Sequence, residues 1–191
     1  MEEADLWPEV AGNRRPISTE VRAVYQHRHQ VPQAFWREYF ASARRTIDIL
    51  TYSGLFLAED TTIVRTIGHR ARQGVKVRML LGNPDSAEVA TRGADEKIGP
   101  EVMAARIRNA LALYMPLLDI PGVEARLHGT TLYNSMYRAD DRLIVNTHAY
   151  GTPAAQAPVI HLQITGDEGA AAVYLASFER VWTDTNCIDA Q

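Results

Sequence analysis

Apolar positions along the chain switch between a helical and an alternating period, and the switches predict an α/β domain. After Pro32, Phe35, Trp36, Tyr39, Phe40 and Ala43 recur at helical spacing. Proline suits a first helical turn, where its missing N–H is not needed, and the aromatic stripe reads as a packing surface. Residues 46–52 then alternate, with Ile47, Ile49 and Thr51 on one side. A helical stripe of Ile63, Val64, Ile67 and Ala71 follows over 60–73, with Gly74 placed to close it in a left-handed conformation. Residues 75–81 return to alternation. Strand, helix and strand in that order predict a βαβ unit with parallel strands and a right-handed crossover.

Asp85 and Ser86 supply cap chemistry for a short helix near Glu88 that Gly93 is expected to end. Gly99-Pro100-Glu101 starts a longer helix with Met103, Ile107, Ala110, Leu111 and Tyr114 on one face, expected to stop at Pro116. Strands are predicted at 123–128, 132–138, 142–149 and 158–165, with Asp140-Asp141 as the tight turn of an antiparallel hairpin. A last helix over 168–182 buries Val173, Tyr174, Phe178, Val181 and Trp182. The predicted fold class is therefore α/β, a mixed β-sheet flanked by helices. Residues 1–31 read as a lead-in or linker, broken at Gly12-Asn13-Arg14-Arg15-Pro16 and admitting a short helix over 20–27, and the folded domain is expected over 32–191.

Composition narrows the class. The chain has 191 residues, 46% hydrophobic and 23% charged, as expected of one domain with a real core. A net charge of −3 lacks the excess of Lys and Arg typical of a free-standing nucleic-acid binder. Cys187 is the sole cysteine, so no internal disulfide or CxxC zinc pattern exists. The acidic amino terminus has no hydrophobic stretch, and the apolar run at 110–118 falls short of the ~20 residues that span a membrane. A soluble, cytoplasmic protein with no membrane partner is expected.

Residues two apart on a strand share a face. Tyr133, Ser135 and Tyr137 thus point one way on the first hairpin strand, Asn146, His148 and Tyr150 on the next, and His161 and Gln163 on the last. If these faces coincide, Tyr133, Ser135, Asn146, His148 and His161 form a polar pocket, joined by Tyr52 and Ser53 at the end of the strand over 46–52. Such groups need partners when buried, which a ligand or the groups themselves can supply. His27-x-His29 has metal-ligand spacing but reads as a solvated pair, and His128, His148 and His161 gather around a metal only if the fold converges them. No Walker or Rossmann glycine loop is present. Arg65, Arg70, Arg72, Arg106 and Arg108 read as solvated helix faces, and no cofactor is expected.

The segment 132–150 resembles the signature region of the phospholipase D superfamily, His-x-Lys-x4-Asp followed by a hydrophobic strand and a small-polar-Asn motif. The block 46–81, with Gly-Val-Lys-Val-Arg-Met-Leu at 74–80, is similar to that family's opening βαβ unit. Asp140 matches the motif's aspartate, but Tyr133 stands at the histidine position and Ser135 at the lysine position, with His148 in the region of the later polar motif. The resemblance implies a phospholipase D-like fold. In the family the histidine attacks phosphorus and the lysine holds phosphate oxygens. Tyrosine, with a pKa near ~10, is a poor nucleophile, and serine carries no charge, so this chemistry is not expected here.

A narrower resemblance covers nearly the whole chain. Asp5-Leu-Trp-Pro-Glu, Ser53-Gly-Leu-Phe-Leu-Ala-Glu-Asp60, Leu81-Gly-Asn-Pro-Asp-Ser86, Ile107-Arg-Asn-Ala-Leu111 and His128-Gly-Thr-Thr-Leu-Tyr-Asn134 resemble the C-terminal portion of actinobacterial helix-turn-helix regulators of the Cro/C1 type, the XRE family. It implies an effector module for sensing or dimerisation, with DNA contacted only through a helix-turn-helix domain absent here. The phospholipase D family builds its site from two such halves, which implies a homodimer. The expected contacts for an unknown small-molecule ligand are Tyr52, Ser53, Tyr133, Ser135, Asp140, Asn146, His148 and His161, with no catalytic residue. The alternatives are a phosphodiesterase-type hydrolase using His148 or His161 as a displaced nucleophile, and a scaffold that dimerises without a ligand.

Overall fold

Strand β2 (Thr46–Thr51) is buried on both sides, as a central strand covered on both faces must be. In the computed structural model, which describes residues 20–166 and 169–185, it sits inside a seven-stranded sheet. Helix α2 (Leu55–Ala58) and helix α3 (Thr61–Arg72) lead from β2 to β3 (Lys76–Gly82), which pairs parallel to it with Ile49 opposite Met79. Asp60 caps α3 by accepting from the amides of Thr62 and Ile63. Gly74 takes the left-handed conformation (φ 91°) that closes the turn after it. The expected βαβ unit is present.

Helix α4 (Ala87–Asp95), capped by Ser86, and helix α5 (Pro100–Leu118) carry the chain to β4 (Val123–His128), parallel to β3. The other half of the sheet is antiparallel: β5 (Asn134–Ala139) against β2, then β6 (Arg142–Thr147), β7 (Val159–Gln163) and, at the edge, β1 (Val21–Tyr25). Helix α6 (Ala170–Thr183) closes the described chain.

Each face of the sheet has its own core. On one, Trp36, Tyr39 and Phe40 of α1 (Gln33–Ala41) and Ile63 and Ile67 of α3 cover Ile47, Ile49, Met79, Tyr137 and Ile144. On the other, Val89, Met103, Ile107, Phe178 and Val181 cover Leu50, Leu80, Met136, Val145 and Leu162. Helix α5 contributes to both, with Met103 and Ile107 in one core and Ala110, Tyr114 and Leu117 in the other. Burial of these apolar side chains, worth roughly 1.5–3 kcal/mol each, is the main stabilising contribution. The buried carboxylate of Asp48 is held by Arg78 Nε at 2.7 Å and Arg138 Nη1 at 3.2 Å, and Arg78 reaches on to Glu179 of α6. One ion-pair cluster thus joins three strands to the last helix.

Several local expectations change, among them the burial of Val173, which the structure leaves 68% exposed. Val21–Tyr25 form a strand where a helix over 20–27 was expected, because Val21 and Val24 favour extended backbone and the open edge of β7 offers partners: Ala23 lies opposite His161 and Tyr25 opposite Val159. This draws residues 21–25 of the expected lead-in into the sheet itself, with the 3₁₀ turn Arg28–Gln30 following them. Gly93 lies inside α4, since a Cβ there would sit 2.5 Å from the Gly99 oxygen, and its absence lets the α4–α5 connection pack close. Pro116 lies inside α5, where buried Leu117 holds the final turn to the core. Helix α6 begins at Ala170; Glu168 lies outside the described residues, as do the Asp5–Glu9 segment and Cys187.

Candidate functional site

The site is a row of polar side chains that the register lines up across the sheet. Leu50 of β2 lies opposite Met136 of β5, which sets Thr51 beside Ser135, and Ser135 in turn lies opposite Asn146 of β6. All three are buried. Beyond the end of β6 the chain returns over the row, and His148 lowers its ring onto it.

Hydrogen bonding fixes the protonation of this group. His148 Nδ1 lies 3.1 Å from the Leu132 carbonyl, which can only accept, so the proton is on Nδ1. Nε2 then offers its lone pair to Ser135 Oγ at 3.0 Å, and Ser135 Oγ lies 3.1 Å from Thr51 Oγ1. Ser135 therefore donates to His148 and accepts from Thr51. The Tyr137 hydroxyl faces both Thr51 and Ser135. Burial, with the positive charges of Arg92 and Arg28 nearby, pushes His148 down to about 4, so the ring is neutral near pH 7. Its other side stacks on Tyr52 with centroids 5.8 Å apart, and the Tyr52 hydroxyl accepts from the Leu132 amide at 2.9 Å.

A cavity of about 430 Å³ opens above this network. Thr51, Ser135, Tyr137 and His148 line its polar side, Ser53 and Gly54 its rim, Leu55, Phe56 and Met103 an apolar wall, and Arg28, Glu59, Glu96 and Arg106 its charged groups. That volume suits a small organic ligand. A second hollow of about 300 Å³ shares Tyr52 and His148 and runs out past Tyr133 and Tyr150, which are 80% and 88% exposed.

Of the residues expected to contact a ligand, Tyr52, Ser53, Ser135 and His148 line the main cavity, and Tyr133 lines only the neighbouring hollow. Asn146 lies just behind the cavity, donating to the Pro158 carbonyl at 3.2 Å with its Oδ1 unpartnered. Asp140 and His161 lie elsewhere. Asp140, at the hairpin turn with φ 53°, accepts from the backbone amides of Arg44, Arg45 and Thr46 at 2.8, 2.8 and 3.0 Å, so it fixes the start of β2. His161 sits against the edges of the Phe35 and Tyr39 rings, with Nε2 buried and unpartnered.

His27 and His29 are not a free surface pair. Each turns Nδ1 to a carbonyl, of Gln156 at 2.5 Å and Ala155 at 3.0 Å, and so pins the 3₁₀ turn Arg28–Gln30 to the 3₁₀ turn Ala154–Gln156. His128 Nε2 lies 3.1 Å from the Thr51 carbonyl and does not join His148 or His161. Among the described residues no group of three or more His, Cys, Asp or Glu is placed to hold a metal. Thr51, Tyr137 and Arg28 were not singled out by the pattern of the chain. Thr51 and Tyr137 carried a legible signal, since they continue the alternation on β2 and β5, whereas Arg28 carried none.

No protein-family model matches the chain, and no curated protein matches it in sequence. Solved structures do. TrmBL2, an archaeal chromatin protein whose structure shows a novel mode of DNA binding, aligns at a TM-score of 0.53 and 15% identity over 96% of this chain. The match spans 60% of the TrmBL2 chain. NucT from Helicobacter pylori aligns at 0.50 and 15% identity, over 81% of this chain and 89% of its own. Nuc from Salmonella typhimurium, a phospholipase D family member, aligns at 0.48 and 14%, over 82% of this chain and 90% of its own. The mixed sheet with helices on both faces agrees with the expectation from the resemblance.

The fold is phospholipase D-like.

Of the residues that the sequence resemblance set against the motif, Tyr133 is solvent-exposed, Ser135 is buried and Asp140 serves the backbone. No helix among the described residues is long and apolar enough to cross a membrane.

Proposed function

We propose that this chain is the ligand-sensing effector domain of a transcriptional regulator, a phospholipase D-like module turned from catalysis to binding. The observation that carries the reading is the Thr51–Ser135–His148 network on the floor of the 430 Å³ cavity. A serine next to a histidine oriented by a carbonyl has the layout of a nucleophile and its base. Here the imidazole is too weak a base for proton transfer near pH 7, and Ser135 is only 2% exposed. A fixed, neutral set of donors and acceptors facing a cavity suits recognition better. The likeness to the archaeal chromatin protein TrmBL2 gives a precedent for this fold in a protein that binds DNA; contact with DNA in the present case is assigned to a separate helix-turn-helix domain. Dimerisation is assigned to the surface around exposed Tyr133 and Tyr150.

The test is a thermal-shift screen of small metabolites. A compound that raises the melting temperature saturably in wild type, and no longer does so in Ser135→Ala and His148→Ala, supports the reading. Retention of the shift in both variants refutes the cavity assignment. The rival reading, a phosphodiesterase-type hydrolase, keeps one observation in its favour, since neutral His148 reaches the cavity while His161 does not. Hydrolysis of bis(4-nitrophenyl) phosphate that is lost in His148→Ala would establish it; no turnover above the buffer blank is expected.

A further inference from the structure

Arg28 is, among the described residues, the one arginine of those not exposed whose guanidinium donates to no oxygen. Among the described residues, every other arginine that is not exposed donates to at least one oxygen: Arg37 to Asp60, Arg78 to Asp48, Arg92 to Glu96, Arg126 to the Trp182 carbonyl, and Arg70, Arg138 and Arg142 likewise. Arg28 is half-buried, lies over the Phe56 ring at 3.8 Å and lines the main cavity, and its Nε is buried with no acceptor. Glu96, on the same cavity wall, is already paired with Arg92 at 2.6 Å. Withdrawing a guanidinium from water without an anion is unfavourable, and the ring beneath it offsets only part of that.

We propose that Arg28 anchors the carboxylate of a small, partly apolar organic acid bound in this cavity. The proposal rests on the ligand-binding reading above and names the class of ligand. A planar guanidinium matches a carboxylate in a two-point contact. With Glu96 answered by Arg92, the lining sets Arg28 and Arg106 against Glu59, a net single positive charge that balances one negative charge and not the two of a phosphate monoester. Leu55, Phe56 and Met103 form the wall along which the apolar body lies, and Ser135 and Thr51 supply hydroxyls at the polar end.

The anchor also has an address. Arg28 belongs to the edge segment that begins with β1, and its amide donates to the Ala157 carbonyl at 3.0 Å. A ligand held by Arg28 therefore clamps the segment 21–30, through which the chain enters the sheet, against the loop at 154–157.

Three probes test this on the full chain: benzoate, its neutral isostere benzamide, and phenyl phosphate, each titrated against wild type and Arg28→Met by thermal shift and hydrogen exchange. The expected result is a saturable rise in melting temperature with benzoate, half-saturation at least tenfold weaker with benzamide, and slower exchange over 21–30. Arg28→Met is expected to lose the benzoate response and, without ligand, to melt at or above the wild-type temperature, because a buried donor without an acceptor has gone. Equal responses to benzoate and benzamide, retention of the benzoate response in Arg28→Met, or no response of wild type to benzoate would each overturn the proposal. A stronger response to phenyl phosphate would overturn the choice of carboxylate. A neutral ligand whose binding depends on Ser135 but not on Arg28 would leave the effector reading standing and remove only this one.

Discussion

The two ends of the β5–β6 hairpin hold their polar residues for opposite purposes. At the turn, every acceptor of Asp140 is consumed by backbone: three amides from residues 44–46 meet its two oxygens. At the open end, Ser135, Thr51 and His148 satisfy one another and still face a cavity, and across from them stands a guanidinium that donates to no oxygen. A polar group that the chain itself fully satisfies contributes to stability; one that keeps a face toward open space is available to a ligand. Asp140 is thus structural, whereas Ser135 looks into the cavity.

The sharpest way to break this contrast is Asp140→Ala. Losing one carboxylate that answers three amides, at a residue with positive φ, is expected to cost about 2–4 kcal/mol of stability in chemical denaturation, with the ligand response of the folded fraction unchanged. A lost ligand response in folded Asp140→Ala would erase the distinction between the two ends.

Acid is expected to act mainly at the open end. An unfolded histidine titrates near its ordinary value of 6.5, while folded His148 is pushed down to about 4. Between those values the unfolded chain takes up a proton that the folded state refuses, so stability falls as pH drops from about 6.5 to about 4 and this contribution is constant above 6.5. Burial shifts His128 and His161 in the same direction. One such group changes stability by up to ~1.4 kcal/mol per pH unit inside its window. Urea midpoints at pH 7.5 and pH 5 measure the slope, and His148→Gln is expected to flatten it; an unchanged slope would mean the ring is not held neutral.

Ser135→Ala is expected to cost about 1–2 kcal/mol, because it leaves Thr51 and His148 short of a partner, while abolishing the response to any ligand that reaches the cavity floor. The smallest effect belongs to Tyr133→Ser. With that side chain 80% exposed, a change within about 0.5 kcal/mol is expected. Sedimentation of Tyr133→Ser with Tyr150→Ser reads the proposed dimer surface, and an unaltered association state in the double variant would place that surface elsewhere.

Much of the scaffold was legible from local pattern. The alternation of Ile47, Ile49 and Thr51, the stripe of α3 and the cap at Asp60 define the βαβ unit without reference to distant residues. Ser135, His148, Tyr52 and Ser53 were reachable because the period of a strand assigns faces and a hairpin turn sets register. His161 had the right face, since β7 lies beside β6, but the wrong row: it lies opposite Ile144, one step of the ladder away from Asn146, and there meets the rings of α1. Arg28 was illegible because nothing in the polar segment around it is periodic. Its importance comes from β1 joining an edge more than a hundred residues away in sequence.

What the sequence determined by itself is which residues share a strand or helix face, where the hairpin turns, and that Tyr133 and Ser135 lie on one face ahead of that turn. Only the tertiary structure decided which faces meet: that His148 drops onto Ser135, that Asp140 spends itself on residues 44–46, and that Arg28 arrives at the cavity with its Nε buried and without an acceptor. Periodicity is a property of neighbours along the chain, whereas register between distant strands and the compensation of buried charge are settled when the sheet closes, and they decide what a polar side chain is for.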